Sequence, residues 1–315
     1  MKIINKIHIE KLNRLALLLF IIISFNSCNN KKIKNGWEED KLKGKVKSYT
    51  QFSYEALERF GKIEKGALIK DIFANLQNNY DEVGNLIERN TFREGSIVDI
   101  EDKDTYKYDK KSNKVEAKSY SSDGSLSYKE TFKYDENNNM IEHNGYSSDG
   151  SLSYKETFKY DENNNMIEQN NYSSDGILTS KETFKYDEKS NNIEANYYSS
   201  DGSLTYKFTF KYDENNNMIE KNGYSSDGRL DEKCAYKYDE MGNISEYLLY
   251  DSDGSIILKV TEKYDDKGNM KESCSDENKR EYEYEYDNVG NWIKQIVYLN
   301  KKPIKIYERS YQYYK

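Results

Sequence analysis

The 315-residue chain has few of the residues that usually carry catalysis or bind metal. It contains two histidines, three cysteines, two tryptophans and one proline, Pro303. No histidine pair or cysteine cluster has the spacing of a zinc site, and no glycine-rich loop opens a helix. Carboxylates are abundant and could in pairs hydrolyse a glycoside, but they recur periodically, whereas an active site should occur once. We therefore expect a protein that is not an enzyme and needs no cofactor and no metal.

Long apolar runs are also missing. The longest stretch, LALLLFIII at positions 15–23, has nine residues, whereas a membrane-spanning helix needs about 20. Basic residues precede it, as in a secretory signal. The next residues, SFNSC, resemble the end of a bacterial lipoprotein signal, although Phe25 stands where leucine is usual. An ordinary cleaved signal with an incidental cysteine is the alternative.

The lipoprotein resemblance implies a division of the chain into three parts. Residues 1–27 would be removed, and Cys28 would carry the lipid that anchors the protein to a membrane. Residues 28–41 are polar and are predicted to be a tether, and residues 42–315 are predicted to fold. The resemblance also implies an exported protein at the outer membrane, the cell surface or the periplasmic face.

A basic surface is absent as well. The formal net charge is −8, and removal of residues 1–27, with four basic residues and one acidic residue, makes it −11. An acidic chain has no electrostatic reason to bind nucleic acid. By contrast, tyrosine is abundant, with 31 residues against 11 phenylalanines. This many aromatic residues argues against disorder, and tyrosine, lysine and threonine suit strands with one partly wet face.

The dominant feature of the sequence is a repeat of 26 residues. The dipeptide Tyr-Asp begins at Tyr80, Tyr108, Tyr134, Tyr160, Tyr186, Tyr212, Tyr238, Tyr264 and Tyr286. A second motif, YSSDG, keeps the same period from Tyr120 and becomes YDSDG at Tyr250. A fixed period of this kind determines the architecture, because each repeat is one structural unit.

Each repeat contains two turn signals and two short alternating segments. Asn and Gly in YDENNN and YDEVGN tolerate positive φ, and the Asp-Gly of SSDG indicates a hairpin. Between them, LSYKETFKY at positions 126–134 alternates apolar and polar residues, which predicts a strand. We therefore predict an all-β fold, an elongated antiparallel meander of about 18–20 strands. The sheet should be open, and curved or superhelical, so that its aromatic face is buried.

The polar positions form columns along the repeats. Lysines recur at positions such as Lys129 and Lys133, and glutamates at positions such as Glu142. We interpret them as a solvated face that discourages edge pairing. Cys234 and Cys274 lie three strands apart in the meander, about 14 Å, so free thiols are expected.

The aromatic columns and the lone histidine past residue 27 are the remaining candidates for function. His143 is replaced by Gln169, Ala195 and Lys221 in other repeats, so we interpret it as an outer-face residue without a catalytic role. Tyr128, Tyr154, Tyr206 and Trp292 are candidate binding aromatics, because flat amphipathic rings stack on sugars or anchor a protein partner. The alternative is a thin aromatic core built from cross-strand pairs.

The segments YDEVGNLIERNTF, YDEMGNISEYLLY and YEYDNVGNWIKQIVY resemble the YD repeats of the Rhs family. The resemblance covers roughly residues 75–300, although several middle repeats carry Asn where the family has the turn Gly. It implies either a non-catalytic repeat protein that binds glycans or proteins, as shorter arrays do, or a structural or delivery component related to the shells that enclose toxins in long members.

Overall fold

The computed structural model describes residues 35–70, 74–92, 99–276 and 278–315. The predicted signal peptide, Cys28 and residues 28–34 of the predicted tether lie outside the described residues. The described residues form one short helix and 21 strands. The helix is α1 (Gly36–Glu39), and the strands are β1 (Val46–Arg59), β2 (Lys62–Leu68), β3 (Leu76–Tyr80), β4 (Leu86–Phe92), β5 (Ile100–Tyr108), β6 (Lys114–Ser121), β7 (Leu126–Tyr134), β8 (Met140–Ser147), β9 (Leu152–Tyr160), β10 (Met166–Ser173), β11 (Leu178–Tyr186), β12 (Asn192–Ser199), β13 (Leu204–Tyr212), β14 (Met218–Ser225), β15 (Leu230–Tyr238), β16 (Ile244–Tyr250), β17 (Ile256–Tyr264), β18 (Met270–Ser275), β19 (Asn278–Tyr286), β20 (Trp292–Leu299) and β21 (Lys302–Tyr313).

The sheet is closed, and the predicted open, curved or superhelical sheet is therefore wrong. From β3 to β21, every strand pairs antiparallel with the next. The long strand β1 then joins the two ends, since its first half pairs with β3 and residues 46–55 pair with β21. The result is a 20-stranded antiparallel β-barrel. Strand β2 lies outside this ring and pairs only with the second half of β1. Closure removes the unpaired edges that an open sheet would expose.

Both turn motifs fold into the same kind of three-residue loop. In the Tyr-Asp turn, Asp135 N donates to Asn139 O at 2.9 Å and Asn138 N donates to Asp135 O at 3.2 Å. In the SSDG turn, Ser147 N donates to Ser151 O at 2.9 Å. Asn138 and Gly150 have φ values of 68° and 84°, as expected for a type I turn followed by a left-handed residue. The prediction of positive φ at these Asn and Gly positions is confirmed.

The Tyr-Asp dipeptide stabilises each turn and links it to the preceding repeat. Asp135 Oδ1 accepts from the backbone N–H groups of Asn137 and Asn139, at 2.9 and 2.8 Å. The Tyr134 hydroxyl donates to the carbonyl of Lys114, 20 residues earlier, at 2.9 Å. The same tyrosine-to-carbonyl bond is made by Tyr108, Tyr160, Tyr186, Tyr212 and Tyr238. Each motif therefore fixes its own loop and the position of the neighbouring hairpin.

The lysine and glutamate columns form ion pairs on one face of the sheet. Glu168 accepts from Lys159 and Lys181, on the two neighbouring strands, both at 2.7 Å. Asn170, two positions along the same strand, donates to the same carboxylate at 2.9 Å. Equivalent arrangements with two or more lysines surround Glu116, Glu142, Glu194, Glu220, Glu246 and Glu272. Ion pairs therefore connect neighbouring strands across this solvated face.

The other face carries the aromatic residues and lines the inside of the barrel. Phe184, Phe208, Phe210 and Tyr236 on this face are 4–6% exposed. Both cavities described below are lined by residues of the same face, so this face is the concave one. Cys234, also on it, and Cys274 are free thiols, as predicted.

The residues just before β1 pack against one end of the barrel. Trp37 Nε1 donates to the carbonyl of Val46 at 2.7 Å, and the Tyr80 hydroxyl donates to Asp40. Residues 35–41, assigned to the tether from the sequence, therefore contact the barrel at the end that carries the Tyr-Asp turns. Among the described residues, no helix is long and apolar enough to span a membrane.

Candidate functional site

The first and last strands of the ring enclose a cavity on the inner face. It has a volume of about 610 Å³, within the range of about 300–1,000 Å³ that is usual for small-ligand sites. Strands β1, β19, β20 and β21 supply most of its lining. Alternate residues of a strand share a face, so the register of these four neighbours directs their inner residues toward one space.

Aromatic rings and amides form much of the cavity wall. Trp292, Tyr282 and Tyr307 provide flat apolar faces, and Gln51 and Gln295 provide amide donors and acceptors. A ring and an amide are direct cross-strand neighbours here, because Gln295 on β20 lies opposite Tyr307 on β21. Such a wall can stack on a ring and hydrogen-bond its substituents.

Arg309 is held at the centre of this wall. Its guanidinium carbon lies 3.9 Å from the centre of the Trp292 ring and 4.4 Å from that of Tyr49. Its Nε donates to Gln51 Oε1 at 2.8 Å. Burial raises the pKa of Tyr49 to about 12, against the opposing effect of Arg309. The guanidinium is thus fixed between two rings by cation–π contacts.

A second cavity of about 460 Å³ adjoins the first, and Trp292 and Arg309 line both. Residues 37–43 form one of its walls, together with loops of three Tyr-Asp turns. Asn291 fixes this arrangement, because Lys43 N donates to its Oδ1 at 2.7 Å and its Nδ2 donates to Lys43 O at 2.8 Å. The segment before β1 therefore shapes the end of the site.

Among the described residues, the larger cavity is lined by cations and by no carboxylate. Arg280, Lys305 and Arg309 line it, and in the described ranges none of the three forms an ion pair. Glu55 lies opposite Lys305 on β1 but does not line the cavity. In a chain with a net charge of −8, this is an unusual concentration of positive charge.

The wall on the other side of the ring is acidic. His143 lies between Glu130 and Glu156, with N–O distances of 3.0 and 2.7 Å, and stacks on Phe132 at 4.6 Å between ring centres. Burial disfavours its charged form, but the two carboxylates outweigh this and raise the pKa of His143 to about 9. The interpretation of His143 as an outer-face residue is wrong, since it belongs to the inner face.

Glu182 extends this acidic wall. Burial, with a smaller contribution from Glu156, raises the pKa of Glu182 to about 7. Around the ring, Glu156 on β9 and Arg280 on β19 are ten strands apart in a circuit of 20. The carboxylates around His143 and the cationic cavity therefore lie on opposite sides of the ring. No group of three or more His, Cys, Asp or Glu residues in the described part of the chain could hold a metal ion.

The candidate aromatics predicted from the sequence are all on the inner face but do not form one site. Tyr128 and Tyr154 flank Gly145, where any side chain would clash with both rings. Tyr154 also donates to Glu130 at 3.1 Å. Tyr206 packs on Phe208 at 4.8 Å between ring centres. Only Trp292 lines the cavities, and Cys28 lies outside the described residues.

Sequence reasoning missed the other residues that form this site, namely Gln51, Arg280, Tyr282, Gln295, Lys305, Tyr307 and Arg309. Arg280 lies where the repeat spacing shortens to 22 residues, and Gln51, Lys305 and Arg309 lie beyond the first and last repeats. These breaks in the period were the signal that could have indicated the site. A site that occurs once in a repetitive chain must use residues that do not repeat.

Comparison of the sequence with protein-family profiles and with curated proteins gives no match. Among solved structures, the chain is similar to a porin-like protein from Bacteroides uniformis, with 10% identity, a TM-score of 0.36 and coverage of 85% of this chain and 96% of that one. It is also similar to TcdB2-TccC3, with 13% identity and a TM-score of 0.29, covering 78% of this chain and 17% of that one. The TcdB2-TccC3-Cdc42 structure gives 12% identity and a TM-score of 0.21, covering 81% of this chain and 16% of that one.

Proposed function

We propose that the protein is a non-catalytic carbohydrate-binding barrel, exported and anchored to the bacterial envelope through a lipid on Cys28. The observation that carries the binding proposal is the 610 Å³ cavity, in which Trp292, Tyr282 and Tyr307 lie beside the amides of Gln51 and Gln295. Rings that stack on sugar faces, with amides for the hydroxyl groups, are the combination that a carbohydrate site needs.

The position of Asn35 supports the anchoring proposal. Residue 35 lies at the barrel end that carries the Tyr-Asp turns, since Asn35 Nδ2 donates to the carbonyl of Val83 at 2.8 Å. Cys28 is only seven residues earlier. A lipid on Cys28 would hold this end near the membrane and leave the end with the SSDG turns facing away. Labelling with a radioactive fatty acid, with Cys28→Ser as the control, tests this part.

A glycan array tests the binding proposal. The full chain, purified in mild detergent, should bind a subset of glycans, and Trp292→Ala should abolish this binding. Tyr128→Ala is the matched control, because Tyr128 is an inner-face aromatic outside both cavities, and it should leave binding unchanged. A protein that binds no glycan, or that binds equally well without the Trp292 ring, would contradict the proposal.

A second candidate function is a container or delivery component, as the Rhs resemblance implies. Closure of the ring by β1 and β21 favours it, because a closed wall surrounds an interior. The two candidates differ in stoichiometry and cargo. A container should co-purify with a polypeptide enclosed at a fixed ratio, which native mass spectrometry would detect, whereas a glycan-binding barrel should purify as this chain alone.

A further inference from the structure

We propose that the carbohydrate bound in the 610 Å³ cavity is acidic, an oligosaccharide that carries carboxylate or sulfate groups. This inference rests on the proposed carbohydrate-binding function and adds the chemical class of the ligand. Its basis is the charge of the cavity wall, which Arg280, Lys305 and Arg309 line and to which no carboxylate of a described residue contributes.

The contacts that the described residues make with these cations are with uncharged groups, such as the Tyr307 ring for Lys305 at 5.2 Å and Gln51 for Arg309. On the outer face, by contrast, the lysine columns of the repeats are paired with glutamates, as in the contacts of Lys159 and Lys181 with Glu168 at 2.7 Å. In the described ranges, the cations of the cavity have no such contact. Like charges that line one cavity repel one another. An anion placed among them relieves this repulsion and supplies the missing charge-assisted hydrogen bonds.

Arg309 is already oriented for this role. The rings of Trp292 and Tyr49 cover its planar group at 3.9 and 4.4 Å, and Gln51 accepts from its Nε at 2.8 Å. The remaining N–H donors belong to the two terminal nitrogens, and Tyr311 also hydrogen-bonds to this side chain. A guanidinium fixed in this way loses little conformational entropy when it binds a carboxylate or a sulfate through two hydrogen bonds.

The opposite wall strengthens the preference for anions at this place. Glu130, Glu156 and Glu182 lie on β7, β9 and β11, and Glu156 is ten strands from Arg280 around the ring of 20. A negative ligand is therefore more favourably placed in the cationic cavity than beside these carboxylates. The stacking rings beside the cations distinguish a sugar acid from a simple inorganic anion.

Calorimetric titration of the full chain in mild detergent tests the inference. The ligands are an oligogalacturonate, its fully methyl-esterified form, a sulfated oligosaccharide of similar length, and ATP. The acid form should bind at least tenfold more tightly than the ester, and added salt should weaken it. Comparison of the carboxylated with the sulfated sugar identifies the acidic group that the cavity prefers.

Two double variants locate the interaction. Arg280→Gln with Lys305→Gln should weaken binding of the acidic sugar at least tenfold and leave binding of the ester unchanged. Lys62→Gln with Lys302→Gln removes the same charge from exposed positions outside the cavity and should change neither. Circular dichroism confirms that both variants fold.

The outcomes separate this inference from the proposed function. Equal affinity for acid and ester would overturn the acidic class and leave carbohydrate binding intact. Failure of every sugar would overturn both. Binding of ATP alone, or equal losses in the two double variants, would overturn the assignment of an acidic carbohydrate to this cavity.

Discussion

Gln51 accepts a hydrogen bond from Arg309 Nε at 2.8 Å, although the two residues are 258 positions apart in the chain. The bond joins the first strand to the last, and Gln51 and Arg309 are also direct cross-strand partners. The same contact orients the guanidinium that lines both cavities. Closure of the barrel and construction of the site therefore depend on the same pair of strands.

Closure predicts a specific disulfide. Thr50 and Ser310 are cross-strand partners on β1 and β21, and partners in antiparallel strands lie about 4.5–5.5 Å apart, within the reach of a disulfide. Thr50→Cys with Ser310→Cys, in a background of Cys234→Ser and Cys274→Ser, should cross-link under mild oxidation. Mass spectrometry of the tryptic peptides would detect the bond.

The control for closure places the second cysteine on a distant strand. Thr50→Cys with Thr131→Cys joins β1 to β7, which are five steps apart around the ring, and should not cross-link within one molecule. If the β1–β21 pair stayed reduced under conditions that oxidise a model peptide, the barrel would be open.

The local architecture was predictable from the sequence, but closure was not. The alternation in LSYKETFKY and the turn residues Asn138 and Gly150 determine strands and loops through contacts within one repeat. The curvature of the sheet instead accumulates over the whole ring. The sequence of one repeat therefore does not determine that the ring has 20 strands. Closure depends on β1, whose sequence VKSYTQFSYEALER does not match the repeat.

Of the residues that line the candidate site, only Trp292 was predicted from the sequence. Trp292 was predicted as a candidate binding aromatic, whereas no sequence pattern indicated Arg309 or Lys305. Arg309 lines the cavity together with Trp292 and Gln51 because β21 lies between β20 and β1. Arg309 and Gln51 are 258 positions apart in the chain. His143 was misplaced for a related reason, because the return strands alternate less regularly and the sequence left its face undetermined.

Removal of one repeated hydroxyl should destabilise the barrel measurably. Tyr160→Phe deletes the bond from the Tyr160 hydroxyl to the carbonyl of Met140, which is 2.8 Å long, and should lower the free energy of unfolding by about 1 kcal/mol. Urea denaturation followed by circular dichroism measures the change. Tyr172→Phe is the control, because the Tyr172 hydroxyl makes no hydrogen bond to another described residue, and an equal loss there would contradict the role assigned to Tyr160.

The left-handed turn position predicts opposite effects for two substitutions. Gly242 has a φ of 81° and nothing within 4 Å of an added Cβ, so Gly242→Ala introduces backbone strain alone. It should cost about 1 kcal/mol. Ser190 holds the equivalent position at a φ of 62°, so Ser190→Gly should stabilise the chain by a smaller amount. Thermal unfolding compares the two, and a shift of both midpoints in the same direction would refute this explanation.

Acid should weaken the ion-paired face. Hydrogen bonds from Lys159 and Lys181 lower the pKa of Glu168 from 4.5 to about 2. A carboxylate with a lowered pKa contributes stability that is present above its ordinary pKa and is lost as the pH falls through the folded value. The thermal midpoint should therefore drop between pH 5 and pH 2. Glu168→Gln should show a smaller drop in thermal midpoint than the wild type. Glu162→Gln is the control, because Glu162 lies at an exposed turn position and has no ion pair among the described residues. Its drop should equal that of the wild type.

His143 should have the opposite pH dependence. Its pKa is raised from 6.5 to about 9, so its contribution is fully present below pH 6.5 and is lost as the pH rises through about 9. The variant His143→Gln is a natural replacement, because Gln169 holds the equivalent position and donates to Glu156 at 3.4 Å. The difference in unfolding free energy between wild type and this variant should shrink as the pH is raised from 6 to 10. A histidine resonance that titrates near 6.5, or a constant difference across this range, would show that Glu130 and Glu156 do not hold the imidazolium.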